Sequence, residues 1–299
     1  MKTMRAHLPR IAAALILVSA AGCNLPRAAA PTATTAPAKP PQPTTQPAAA
    51  QPTSSPVPAA TAAEPVAPTS TTAAQYPGAA PEEAILILQP GPGSRVTSPL
   101  RVAGIADTTF EQALVVRLVL DDGSLLALEP TTIHTPMGTR GPFEVEVPFS
   151  LSGERNALLQ VYSSSPRDGG ITHLSSVGLL LAMGGPADIR PALRGPEHLQ
   201  ILQPALIQRV SGGVAHVEGF GLASFEGTLL VQVYDVGGNQ VGSQPITVQA
   251  PDMGIPGPFV VDVPYTVSAE GPGRIVVVDP LPAFNGVGHI ASVEVTLAP

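Results

Sequence analysis

From residue 84 onward, hydrophobic and polar positions alternate with a period of two through short stretches. In Phe143-Glu144-Val145-Glu146-Val147 the apolar residues share one face and the glutamates the other. Such alternation marks a strand with one face on a core and the other in solvent. Leu100-Arg101-Val102-Ala103-Gly104 and Val214-Ala215-His216-Val217-Glu218-Gly219 alternate in the same way. Residues 113–120, 157–162, 173–181, 228–234, 274–278 and 289–297 are apolar-rich runs. Shorter runs at 84–88 and 198–202 are closed by proline, which cannot donate to a ladder, so both are expected at sheet edges. Asp121-Asp122-Gly123 and Asp235-Val236-Gly237-Gly238-Asn239 stand where hairpin turns need positive φ. Helix signals are nearly absent. The expected fold class is all-β, with about seven short antiparallel strands per ~100 residues, the inventory of an immunoglobulin-like sandwich. The expected core is Ile87, Val102, Val116, Leu118, Phe143, Val145, Val147, Leu159 and Val161, with their counterparts in the second half of the pattern.

Those counterparts exist because the pattern occurs twice. Ile87-Leu88-Gln89-Pro90 returns as Ile201-Leu202-Gln203-Pro204, and Phe110-Glu111 as Phe225-Glu226. Gly141-Pro142-Phe143 returns as Gly257-Pro258-Phe259, and His173 as His289. The offset drifts only from 114 to 116. That is the length of a small domain, far above a solenoid period. The expected organisation is two tandem immunoglobulin-like β-sandwich domains, at 84–183 and 198–299, joined by a Gly/Pro-containing linker at 184–197.

The N-terminus is different material. Lys2, Arg5 and Arg10 precede an uncharged apolar run at 11–22, too short to span a bilayer but suited to a signal peptide. Ala20-Ala21-Gly22 leads to Cys23, the one cysteine of the chain, in the manner of a bacterial lipobox. Residues 1–22 are therefore expected to be a lipoprotein signal peptide and Cys23 the lipidated first mature residue. Cleavage by the ordinary signal peptidase is the competing reading. Residues 23–83 are expected to be a disordered Pro/Thr/Ala-rich stalk. Residues 25–81 hold 14 of the 36 prolines and only three charges, a composition that cannot offset its ordering entropy by burial. With no other cysteine, the domains must fold on their cores alone. From residue 84 on, 10 arginines and no lysine stand against 19 carboxylates, a net of −9. That balance excludes nucleic acid as a natural partner and is a poor match for anionic lipid head groups.

Val96-Thr97-Ser98-Pro99-Leu100-Arg101-Val102-Ala103-Gly104, then Phe110-Glu111, Gly141-Pro142-Phe143 and the late Asp168-Gly169, resemble the bacterial spore germination immunoglobulin-like domain. The second copy departs from that motif, with Ser211-Gly212-Gly213 for the Ser-Pro step and Asn285-Gly286 for the late Asp-Gly. The resemblance implies an extracytoplasmic sandwich module, often carried on lipoproteins, with no established catalytic residues.

Candidate chemistry is sparse. Asp168, His173 and Ser175 or Ser176 contain the residue types of a hydrolytic triad, but no nucleophile elbow is present and the second copy keeps no acid beside His289. His173 and His289 are read instead as strand starts bonded to a loop. Glu144 and Glu146 read as a solvated face, and Asp121-Asp122-Gly123 as a plain turn. No metal cluster or cofactor fingerprint is visible, so no cofactor is expected. The repeated pairs Phe110-Glu111 and Phe225-Glu226 are the candidate partner-binding edge; the structural alternative is a phenylalanine capping the sandwich end and a glutamate accepting loop N–H groups. The functional expectation is a non-catalytic lipoprotein, held on the extracytoplasmic face of a bacterial membrane by lipid on Cys23. Its partner would be an envelope protein or a cell-wall polymer such as peptidoglycan. A pure spacer and a surface hydrolase are the rivals, the latter requiring a pocket of converging polar groups in one domain only.

Overall fold

In a computed structural model, residues 81–299 are described; the expected signal peptide, Cys23 and the expected stalk up to residue 80 lie outside them. The first half runs β1 (Ile85–Gln89), β2 (Arg95–Thr97), β3 (Leu100–Ala106), β4 (Ala113–Leu120), β5 (Leu125–Thr132), β6 (Gly141–Val147), β7 (Arg155–Ser164) and β8 (Ile171–Ala182). The second runs β9 (Leu199–Gln203), β10 (Arg209–Val210), β11 (Val214–Gly221), β12 (Thr228–Tyr234), β13 (Gln240–Thr247), β14 (Gly257–Pro264), β15 (Gly271–Leu281) and β16 (Gly286–Leu297). Each half is a β-sandwich. In the first, the sheet β1-β3-β6 lies over β8-β7-β4-β5; in the second, β9-β11-β14 lies over β16-β15-β12-β13. Both proline-closed strands, β1 and β9, are sheet edges. The short strands β2 and β10, which pair in parallel with β8 and β16, are the eighth strand of each half and were not foreseen.

Each sandwich has its own core. Ile87, Val102, Val116, Leu118, Phe143, Val147, Leu159 and Val161 are all buried in the first, with Val145 packed against them. Val217, Val231, Val233, Phe259, Val263, Ile275 and Val277 fill the second. The alternation placed these residues because a period of two fixes which face meets the core. The glycine that ends the repeated strand motif has a steric reason. A Cβ on Gly104 would stand 2.3 Å from the Phe143 ring, and one on Gly219 would stand 2.3 Å from the Phe259 ring. The ring of β6 or β14 occupies the space that a side chain would take.

The segment between the halves is held by the first of them. Asp188 and Arg95 exchange backbone hydrogen bonds, Gly91 donates to the Arg190 carbonyl, and the Arg95 guanidinium donates to the carbonyls of Gly184 and Pro186. Chain ahead of β1 then meets chain ahead of β9 through a bridge between Glu82 and Pro196.

Candidate functional site at the junction of the two halves

The two larger sheets are one sheet. Strands β8 and β16 pair antiparallel, Leu174 opposite Ile290 and His173 opposite Ala291, so the ladder runs β13-β12-β15-β16-β8-β7-β4-β5. His173 and Leu174 are the counterparts of His289 and Ile290, so the repeat meets itself about an internal pseudo-two-fold. Side chains stitch the seam on either side of the short ladder. Gln160 Nε2 donates to the Val287 carbonyl, Ser292 Oγ to the Thr172 carbonyl, and Ser165 Oγ to Glu294. Asp168 and Arg274 form an ion pair with side chains only 7% and 4% exposed. Leu174, Val276, Val278 and Ile290 make a third apolar cluster, separate from both cores, with Tyr162, Ile171, Leu230, Tyr234 and Val287 against it.

Beside the seam, the starts of β1 and β9 exchange carboxylates. The His198 N–H donates to Glu83 Oε1 at 2.9 Å, and the Ala84 N–H donates to Glu197 Oε2 at 2.6 Å. Glu83 and Glu197 are counterparts in the repeat, so each caps the residue that follows the other. Ser175 Oγ donates to Glu83 Oε2. Burial drives the Glu83 carboxyl well above its usual range, and the neighbouring Glu197 charge adds to this. Burial also raises Glu197, against the N–H groups it accepts.

Three histidines surround this pair. His173 Nε2 stands 3.4 Å from Glu197 Oε1. The His198 and His289 rings stack at 3.5 Å between centroids and 7° between planes. His198 Nε2 and His289 Nδ1 lie 3.4 and 3.7 Å from Asp279 Oδ2. None of His173 Nε2, His198 Nε2 and His289 Nδ1 has a hydrogen-bond partner in the protein, and all three are sealed from solvent. Leaving such a nitrogen unmatched costs about 1–3 kcal/mol. Burial lowers His173 to about 4. Burial and the adjacent His198 lower His289 to about 4. Asp279 sits at a bulge of β15 and is fully buried. Burial alone would raise it, but the nearby His198 and His289 imidazoles and the hydrogen bonds from Ser224 hold it below the usual carboxylate range. Two donor sets each bring their ligand atoms within 4.8 Å of one another: Glu83, His198 and His289, and Glu83, His173 and Glu197.

The sequence reading missed this cluster and expected no metal ligands. Its members come from separate stretches of both halves, Glu83, His173, Glu197-His198 and Asp279 with His289, and only the β8–β16 seam gathers them. Their trace in the sequence was the recurrence of Glu83 as Glu197 and of His173 as His289. His173 and His289 are the third residue of β8 and the fourth of β16, near the strand starts, and they face the carboxylates of Glu197 and Asp279. No triad forms, since Asp168 is engaged by Arg274 and Ser175 by Glu83. Glu144 pairs with Arg101 on the surface, and Asp122 closes its turn on the Ser124 N–H.

The proposed edge residues divide between two cavities, one of which reaches the junction. Phe110 and Phe225 are 57% and 45% exposed, so neither caps a sandwich end. Glu111 and Glu226 both adopt left-handed backbone, φ 54° and 49°, and among the described residues neither carboxylate accepts a loop N–H. Phe110 lines a cavity of about 450 Å³ whose wall also carries His173, Ser165, Ser292 and Glu294 from the junction. Glu226 lines a different one of about 490 Å³, so the four residues are not gathered at one cavity.

No curated protein matches the chain. Among solved structures, the titin Z1Z2 domains in complex with telethonin are 14% identical, covering 72% of this chain and 96% of that one at a TM-score of 0.19. Dimeric latent PorU from Porphyromonas gingivalis is 11% identical over 73% of this chain and 24% of its own, at 0.21. Bovine butyrophilin is 11% identical over 71% and 97%, also at 0.21. Likenesses this low carry no argument. The first sandwich is placed by sequence: residues 84–170 match the immunoglobulin-like domain of bacterial spore germination.

Proposed function

We propose that this chain is a non-catalytic binding module of the bacterial envelope, anchored by lipid on Cys23, raised on its Pro/Thr/Ala-rich stalk, and presenting its two halves as one rigid platform. The family match of residues 84–170 supports an immunoglobulin-like germination-type module. The observation that carries the binding role is the outer face of the shared sheet. There Ile171, Leu230, Tyr234, Val276, Val287 and Ile290 line an apolar furrow of about 450 Å³, with Asp168, Gln232 and Arg274 at its margin. A concave, mostly apolar site with a few polar groups is the ordinary form of a recognition surface. The polar cluster on the other side of the seam does not support catalysis, because its free nitrogens are closed to solvent.

A cell-wall polymer is the second reading of the partner. Aromatics are few, yet Tyr162 and Tyr234, two of the four tyrosines, flank this face, which suits stacking on sugar rings. The full chain with Cys23→Ser is to be sedimented with protein-free sacculi, beside Tyr234→Ala in the same background. Pelleting that is lost with Tyr234→Ala and competed by soluble wall fragments supports the wall polymer. Absence from the pellet, with crosslinking through the furrow to an envelope protein, supports a protein partner. Neither result leaves the chain as a spacer and contradicts the binding role.

A further inference from the structure

We propose that the second half carries a binding site for an arginine side chain of a protein partner, in the cavity of about 490 Å³ between Gly227 and the loop that joins β13 to β14. The first half shows which chemistry that space accepts. There the counterpart of Gly227 is Gln112, whose side chain is buried and plugs the equivalent space. Gln112 Nε2 faces the carbonyls of Thr135, Pro136 and Thr139 at 3.3–3.4 Å. Its Oε1 accepts from the Thr108 hydroxyl and the Thr109 N–H. Gln112 is held in left-handed backbone, φ 56°, a conformation that persists in a non-glycine residue where its surroundings fix it. Gly227 has the same backbone, φ 66°, and no side chain. The frame around the two positions is shared. The Ile133 N–H donates to the Gln112 carbonyl as the Val248 N–H donates to that of Gly227, and Met137-Gly138 of the loop returns as Met253-Gly254. Ala250 and Ile255, the counterparts of Thr135 and Thr139, line the cavity. Among the described residues no backbone N–H donates to either carbonyl.

The differences between the halves select the ligand. The groups that donate to the amide oxygen in the first half have no equivalent in the second. Ala223 stands in the place of Thr108, and Ser224, in the place of Thr109, gives its N–H and hydroxyl to Asp279. Negative charge is greater instead. Asp252 has no counterpart in the first half's loop, which is one residue shorter, and it lines the cavity with Glu226. At these positions the space offers acceptors and negative charge but no free donor, which fits a group that only donates. A guanidinium is such a group, with five N–H donors in a rigid plane and no acceptor. The chain already uses one in this way, since the Arg95 guanidinium donates to the carbonyls of Gly184 and Pro186 and to Glu154. Met253 and Ile255, both exposed, would cover the apolar stem of an incoming arginine. The net charge of −9 from residue 84 onward favours a basic partner.

The test follows backbone amide resonances of the isotope-labelled full chain with Cys23→Ser during titration with Nα-acetyl-arginine amide, and with its lysine and glutamine equivalents. The site predicts saturable shifts in residues 223–228 and 250–255 with the arginine compound, several-fold weaker binding of the lysine compound, and none of the glutamine one. Gly227→Gln supplies the first half's own plug. Gln112 shows that the backbone accepts it, and a Cβ on Gly227 would meet nothing closer than Thr247 at 3.8 Å, so this variant should fold and lose the shifts. Asp252→Asn should weaken binding by roughly two- to fivefold. The cavity shares no residue with the furrow, so Tyr234→Ala should leave the shifts unchanged, and failure of the furrow is distinguishable from failure of this site. Absence of shifts in the two segments, glutamine or lysine compounds binding as well as arginine, shifts that survive Gly227→Gln, or shifts lost with Tyr234→Ala would overturn the proposal.

Discussion

At the scale of single residues, the junction depends on buried polar groups finding partners across it. The ion pair of Asp168 and Arg274 is the plainest case. Burial opposes the Asp168 charge, but the Gly170 N–H and the Arg274 guanidinium hold its carboxyl below the usual range. Gly170 is also what admits Arg274, since a Cβ there would stand 2.4 Å from the guanidinium. Removing one partner of a buried pair strands the other and costs about 3–5 kcal/mol. Asp168→Asn is therefore expected to lower stability by that order at neutral pH, read by urea unfolding. The pH dependence follows from the direction of the shift. A depressed folded value stabilises above the unfolded carboxylate value of 3.8 and is lost as pH falls through the folded one. The gap between the unsubstituted protein and Asp168→Asn should be full at pH 6 and close as pH drops below about 4. A gap that is constant with pH would mean that the pair does not act through its charge.

At the scale of elements, what the sequence made legible is what a period of two encodes. The strands over each core, their inward residues and the edge position of β1 and β9 follow from alternation and from proline. Three things stayed hidden for physical reasons. Strands β2 and β10 are three and two residues long, too short for any periodicity. Strand β13 carries Gly242 and Pro245 and is largely exposed, which only an edge strand tolerates. The pairing of β8 with β16 spans two residues each, and the apolar side chains that prefer it read as ordinary core residues. Leu174 shows the difference, being fully buried in the junction cluster and absent from both sandwich cores. Leu174→Asp is expected to leave each core intact and uncouple the halves. Calorimetry should then resolve two unfolding transitions where the unsubstituted protein shows one; a single transition in both would mean that the halves communicate by another route.

At the scale of the whole molecule, the two sandwiches together hold something neither holds alone. Each copy supplies a glutamate, a histidine and an edge strand, and the pseudo-two-fold brings them together into one buried cluster and one continuous sheet. The candidate site was illegible for that reason: its chemistry belongs to the contact between repeats, and a reading that compares the repeats side by side sees only matched residues. The binding platform, the furrow on its outer face and the buried glutamate–histidine cluster on its inner face all rest on the β8–β16 seam. Hydrogen exchange in the native protein, followed by mass spectrometry, tests that seam most directly. The account predicts that backbone amides in residues 172–175 and 289–292 exchange as slowly as those of β7 and β15 beside them. Exchange there as fast as in the exposed loop at 251–256, with β7 and β15 still protected, would contradict it.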